Sequence, residues 1–134
     1  GLEIDIHYST VKSSYINLIS TKVTINKTVY KLDGSVFDDH RPRLVNILGR
    51  EMEVTPRGTL LLVENNDVPG VIGNVGTLLG NLNINIAAYL LNRSGEEGKA
   101  FAVIRVDNRL SNDDLNKLSE IQDIQSVNQI HLSN

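Results

Sequence analysis

The sequence predicts an α+β protein: a ferredoxin-like βαββαβ unit over residues 58–134, preceded by a β-rich partial domain over residues 1–57. Three observations predict it. Leu60-Leu61-Leu62-Val63 is a solid aliphatic run of the length of a buried strand. Val71, Ile72, Val75, Leu78, Leu79 and Leu82 recur on one helical face. Ser111-Asn112-Asp113-Asp114, a capping serine with carboxylates in the first turn, opens a second helix before a last strand-like stretch.

The elements follow in chain order. Leu2 to Ile6 alternates apolar and charged residues with period two, as a half-buried strand does. Tyr15 to Ile25 is long and β-branched, Asn26-Lys27 reads as a hairpin turn, and Thr28 to Phe37 returns. Asp38-Asp39-His40-Arg41-Pro42 is a loop, and Gly49-Arg50 separates Leu44–Leu48 from Met52–Val54. No 3.6-residue period runs through this half, so its strands have no helix of their own to cover a sheet face. From Gly58 the pattern changes. Thr59 to Asn65 is a strand, and Pro69-Gly70 stops it and starts the first helix, which Asn83 ends. Ile84 to Arg93 is the second strand, Ser94 to Gly98 a hairpin loop and Lys99 to Asp107 the third strand. Leu115, Leu118 and Ile121 mark the buried side of the second helix, and Ile124 to Leu132 is the last strand. Four strands in one antiparallel sheet, with both helices on one face, complete the order.

Composition excludes several function classes. Thirteen Lys and Arg against 16 Asp and Glu give a net charge of −3 in 134 residues, without the basic surplus that phosphate neutralisation needs, so nucleic acid is not an expected partner. The absence of cysteine removes thiol catalysis, zinc-thiolate sites and disulfides. No apolar run reaches the roughly 18 residues of a membrane span, and no secretory segment is present. Asn26-Lys27-Thr28 and Asn92-Arg93-Ser94 match the glycosylation pattern by chance in a chain expected to be cytoplasmic. The chain begins at Gly1 without an initiator methionine and reads as a piece of a longer protein. His7, His40 and His131 are scattered and fall in no metal or catalytic motif, and neither a nucleophile elbow nor a phosphate loop occurs. No catalytic residue and no metal site is assigned.

The first helix carries Gly73, Gly76 and Gly80, each costing about 0.5–1 kcal/mol relative to alanine in a helix interior. Close approach of another backbone or a ligand is the usual reason, and tight packing on the helix's own sheet is the first expectation. Gly70 to Gly76 has the spacing G-x-x-G-x-x-G, which is not the dinucleotide fingerprint. Gly70 itself opens the helix, where unpaired N–H groups and the positive end of the dipole receive anions. Asn65, Asn66 and Asp67 precede it, and Asn81, Asn83 and Asn85 lie at the start of the second strand. Such a helix start beside Asp67 is a cradle for a zwitterion, the N–H groups taking a carboxylate and Asp67 an ammonium. The alternative is that these amides and carboxylates only fill turns and caps.

Leu62-Val63-Glu64-Asn65-Asn66-Asp67-Val68-Pro69-Gly70-Val71-Ile72-Gly73-Asn74-Val75-Gly76-Thr77-Leu78-Leu79-Gly80, with Asn83-Ile84-Asn85-Ile86-Ala87, closely resembles the ACT regulatory domain of the D-3-phosphoglycerate dehydrogenase family. Val36-Phe37 and Pro42-Arg43-Leu44-Val45-Asn46-Ile47-Leu48-Gly49 resemble the end of the intervening domain in the family's longer form. The resemblance implies a regulatory region of a serine-biosynthetic oxidoreductase, whose ACT domain binds L-serine and feeds back on distant catalytic domains. NAD would belong to those domains, and no cofactor is expected in this chain.

By position, the resemblance implies that Asp67 contacts the ligand and that Asn85 reaches it from a neighbouring subunit. With serine as the ligand, the helix-start reading puts its carboxylate on the backbone N–H groups of Val71 and Ile72. Asn65 stands where family members carry His or Tyr, and Val68 where Arg is frequent. Basic side chains of the intervening domain bind anions in some relatives, for which Arg43 is the first positional candidate and Arg57 the second. ACT units pair edge to edge or helix to helix, so a homodimer is implied. Two other readings stand beside this one: an ACT-type assembly module that binds nothing, and an ACT module of another amino-acid enzyme such as serine dehydratase.

Overall fold

A computed structural model describes residues 2–3, 18–25, 28–36, 42–47, 50–93 and 95–132, and among residues before 52 it describes the side chains of Ile47 and Arg50 only. The expectations for Ile4 to Ile6, His7, Tyr15 to Asn17, Asn26-Lys27, Phe37 to Arg41, Leu48-Gly49 and Ser94 lie outside the described residues. The side chain of Arg43 does too. Contacts divide the chain into two compact units, Gly1–Pro56 and Arg57–Asn134.

Among its described residues the first unit is a five-stranded antiparallel sheet in simple chain order. Its strands are β1 (Leu2–Glu3), β2 (Leu18–Ile25), β3 (Thr28–Val36), β4 (Pro42–Ile47) and β5 (Arg50–Val54). Sequential neighbours pair throughout, with Ile25 opposite Thr28 and Ile47 opposite Arg50. Arg50 thus belongs to β5, not to the break before it. Its partner Ile47 is fully buried, as is most of Val54.

The second unit starts from its two most apolar strands. Leu60 to Val63 in β6 (Gly58–Asn66) and Ala100 to Ile104 in β8 (Lys99–Val106) are continuous apolar runs, and all of them are buried. A run without alternation fits only a strand covered on both faces, which requires a central place in the sheet. The order is β7-β8-β6-β9, with β7 (Ile86–Asn92) and the last strand β9 (Ile124–Leu132) at the edges and all pairings antiparallel. This is the ferredoxin-like βαββαβ topology. Register places Leu61 opposite Ile104 and Val63 opposite Ala102 on one face. That face meets Val71, Val75 and Leu79 of helix α1 (Val71–Asn81) and Leu118 of helix α2 (Asn112–Ser119) in one core. Leu115 and Ile121 pack at its margin. Leu60, Leu62, Phe101 and Val103, on the other face, are buried as well.

The helix ends carry their expected chemistry. The Ser111 hydroxyl accepts from the Asp114 backbone N–H at 3.2 Å, capping α2. At the far end of α1, Asn83 turns left-handed (φ 58°), its N–H donates to the Gly80 carbonyl, and the Ile84 N–H donates to Leu79. This is a Schellman motif closed by an apolar residue that packs on the core. It also corrects the second strand, which starts at Ile86 rather than Ile84 because the Ile84 N–H is spent on closing the helix. The strand ends at Asn92 and leaves Arg93 outside it, and Asp107 likewise falls just beyond β8.

Candidate functional site

Two features of α1 depart from the sequence reading. Ile72, expected on the buried stripe, is 51% exposed. At 100° per residue it stands well round from the Val71-Val75-Leu79 line that meets the sheet. The glycines depart further. A Cβ at Gly73, Gly76 or Gly80 would meet nothing within 4 Å, so tight packing of the helix on its own sheet is not their reason. They form a stripe on the outward side, flanked by exposed Ile72 and, before the helix, exposed Val68. No residue of α1 carries a charge.

The start of α1 is an open donor site. Gly70 takes a left-handed N-cap conformation (φ 94°) with no side chain bonded to the first turn, and no acidic residue stands in that turn. The first helical bond is from Asn74 to the Gly70 carbonyl, which leaves the N–H groups of Val71, Ile72 and Gly73 without a helical acceptor.

Asn65 is placed by register on the helix-facing side of β6 and is only 4% exposed. Its Nδ2 donates to the Asn66 carbonyl at 2.8 Å, and its amide oxygen has no partner among the described residues. A buried polar atom costs about 1–3 kcal/mol unless water or a ligand meets it, which makes the Asn65 amide oxygen an acceptor site at this end of the unit. Asp67 follows at the strand's end. Its N–H donates to the Gly98 carbonyl at 2.9 Å, and its Oδ2 accepts from Arg93 Nε at 2.7 Å. The sequence reading did not include Arg93, because the pairing depends on where β7 ends, and no periodicity reports that. Asn66 is wholly engaged: its Oδ1 accepts from Lys99 Nζ and Gln125 Nε2, and its Nδ2 donates to Asp123.

Asn65, Asp67, Val71 and Ile72 therefore gather at one end of the unit. Asn85 does not join them. It lies ahead of β7 at the opposite end, where its Nδ2 donates to Asp107 at 2.9 Å and its carbonyl accepts the Asp107 N–H. Gly98 sits beside Asp67 and Asp107 beside Asn85, which separates the two ends by roughly 30 Å at the rise of an extended strand. Arg57 and Arg105 line a cavity of about 270 Å³ with Gly58, Ala87, Val106 and Asp107, at that second end. Neither guanidinium has an ion-pair partner among the described residues. Among the described residues no group of three His, Asp or Glu side chains could hold a metal, and no helix is long and apolar enough to cross a membrane.

No family model matches the chain. D-3-phosphoglycerate dehydrogenase of Bacillus subtilis is 32% identical over 98% of this chain and 25% of its own length. The enzyme of the same name from Archaeoglobus fulgidus is 31% identical over 96% of this chain, and that from Methanocaldococcus jannaschii 28% over 92%. The ACT domain from the GTP pyrophosphokinase of Chlorobium tepidum overlays 55% of the chain with a TM-score of 0.44 and 15% identity. The chain spans about a quarter of the length of the curated relatives it matches. Along nearly its whole length, then, the chain is homologous to a quarter-length segment of the D-3-phosphoglycerate dehydrogenases.

Proposed function

We propose that this chain is the regulatory region of a D-3-phosphoglycerate dehydrogenase and that its second unit, an ACT domain, binds L-serine as a feedback inhibitor. The observation that carries this is the pairing of a buried, half-satisfied Asn65 with an uncapped start of α1, beside Asp67. Serine offers what that end lacks: a carboxylate for the free N–H groups of Val71 and Ile72, and an ammonium for Asp67. Its hydroxyl is the group of a size and polarity to meet the amide of Asn65.

The site is completed by a second copy. Asn85 stands too far from Asp67 in its own unit to share a ligand with it, so it contributes only from a partner lying in the opposite sense. The outward glycine stripe supports the same arrangement, since glycine in a helix admits close approach of another backbone. Binding then favours one arrangement of the paired units, and the difference in affinity between arrangements is what reaches catalytic domains in the parent chain, where NAD belongs. The parent enzyme works in the cytoplasm on this reading. Residues 1–57 are the end of an intervening domain.

Calorimetric titration of the chain with L-serine tests the proposal. Serine should bind, and Asp67→Ala should lose at least tenfold in affinity, because a lost charge-assisted bond typically costs about 1.5–3 kcal/mol. Equal binding by Asp67→Ala would place the serine site elsewhere, and no binding by the parent chain would move the assembly-only reading into first place. A second reading concerns anions: the cavity between Arg57 and Arg105 supports phosphate or carboxylate binding there, with Arg43 a further candidate in the first unit. Phosphate titration of Arg57→Ala, expected to bind less than the parent, tests it.

A further inference from the structure

We infer that Arg93 determines specificity at this site by making a carboxylate obligatory in the ligand. The inference rests on the reading above, in which Asp67 receives the ligand's ammonium. The Arg93 guanidinium touches Asp67 through Nε alone, at 2.7 Å. Among the described residues its remaining N–H groups have no acceptor and Asp67 Oδ1 has no donor. The Arg93 side chain is 69% exposed and that of Asp67 25%, so both free edges are open to a ligand. The Asp67 backbone is fixed independently by the Gly98 carbonyl.

An unpaired Asp67 would attract any amine. Paired with Arg93, it presents an acceptor oxygen beside a set of donors, which is the complement of a zwitterion. A ligand with an ammonium and a carboxylate satisfies both. An amine without the carboxylate sets its positive charge beside the guanidinium with nothing to offset it, and discrimination arises from that repulsion as much as from the missing bond. The first turn of α1 adds donors to the same carboxylate but cannot repel the amine as strongly, since its partial charge is about half a unit.

The test compares L-serine with 2-aminoethanol, the same molecule without its carboxylate, by calorimetry on the full chain and on Arg93→Gln. The parent chain should bind serine and discriminate strongly against 2-aminoethanol. In Arg93→Gln, with an unchanged melting transition, the serine-to-aminoethanol affinity ratio should fall at least tenfold, partly through improved aminoethanol binding. Arg93→Lys should recover part of the ratio. If Arg93→Gln weakens both ligands equally, Arg93 only holds Asp67 and the inference is overturned while the serine site stands. If the parent chain binds no serine, the site reading fails, and this role fails with it.

Discussion

Asn65 and Tyr89 both place a polar atom on the core face of this sheet. Asn65 is buried with an unpaired amide oxygen, a position that an apolar residue of similar volume would fill without that cost. Asn65→Leu should therefore raise chain stability by about 1–2 kcal/mol in urea denaturation and weaken serine binding. A loss of stability instead would mean that the amide is a structural keystone. Tyr89 packs against the same core from edge strand β7, and desolvation raises its phenol above the ordinary value of 10.0. The unfolded chain then ionises this tyrosine first, so the folded state holds the proton over a window above pH 10. Its contribution to stability is whole below that window and is lost as pH rises through the folded value. Melting curves should show a larger alkaline loss for the parent than for Tyr89→Phe.

Helix α1 is built at odds with its own stability. Its inward line of Val71, Val75 and Leu79 is fully committed to the core, whereas its outward line is glycine, with open space where each Cβ would stand. None of the three has the left-handed backbone that would demand glycine. Gly76→Ala and Gly80→Ala should each stabilise the chain by about 0.5–1 kcal/mol, measured by denaturation at a concentration where it is monomeric. The same substitutions should weaken self-association and serine binding, because a methyl on that line keeps a partner's backbone away. Stabilisation without any effect on association would leave the glycine stripe unexplained. Helix α2 shows the contrasting design, with a serine cap, Asp113 and Asp114 in its first turn and Lys117 in its last.

At the scale of the whole molecule, β7 and β9 are the edges of the second sheet among the described residues, and exposed Leu90 and Leu91 stand on β7. An apolar, uncharged edge strand invites a further strand. Sedimentation of the chain at micromolar concentration should find a symmetric dimer, tightened by serine. A monomer under both conditions would leave Asn85 without a role in the site. The similarity to D-3-phosphoglycerate dehydrogenases extends through residues of both units, so a regulatory reading confined to the second unit would leave part of that likeness unused.

The sequence by itself determined the second unit almost element by element. Continuous apolar runs can be satisfied only in central strands, a 3.6-residue stripe only by a helix on one face, and Ser111 and Asn83 close helix ends by local hydrogen bonds that need no tertiary partner. It also singled out Asn65, Asp67, Val71 and Ile72, which do lie together, because strand end and helix start are adjacent in the chain. Only the tertiary structure decided the rest. The outward direction of the glycines depends on which helical face the sheet claims, and a glycine carries no side chain to declare it. The distance of Asn85 from Asp67 follows from strand direction, and the Arg93–Asp67 pair from where β7 stops. Both are set by pairing across β8, through contacts between residues far apart in sequence that no local pattern encodes.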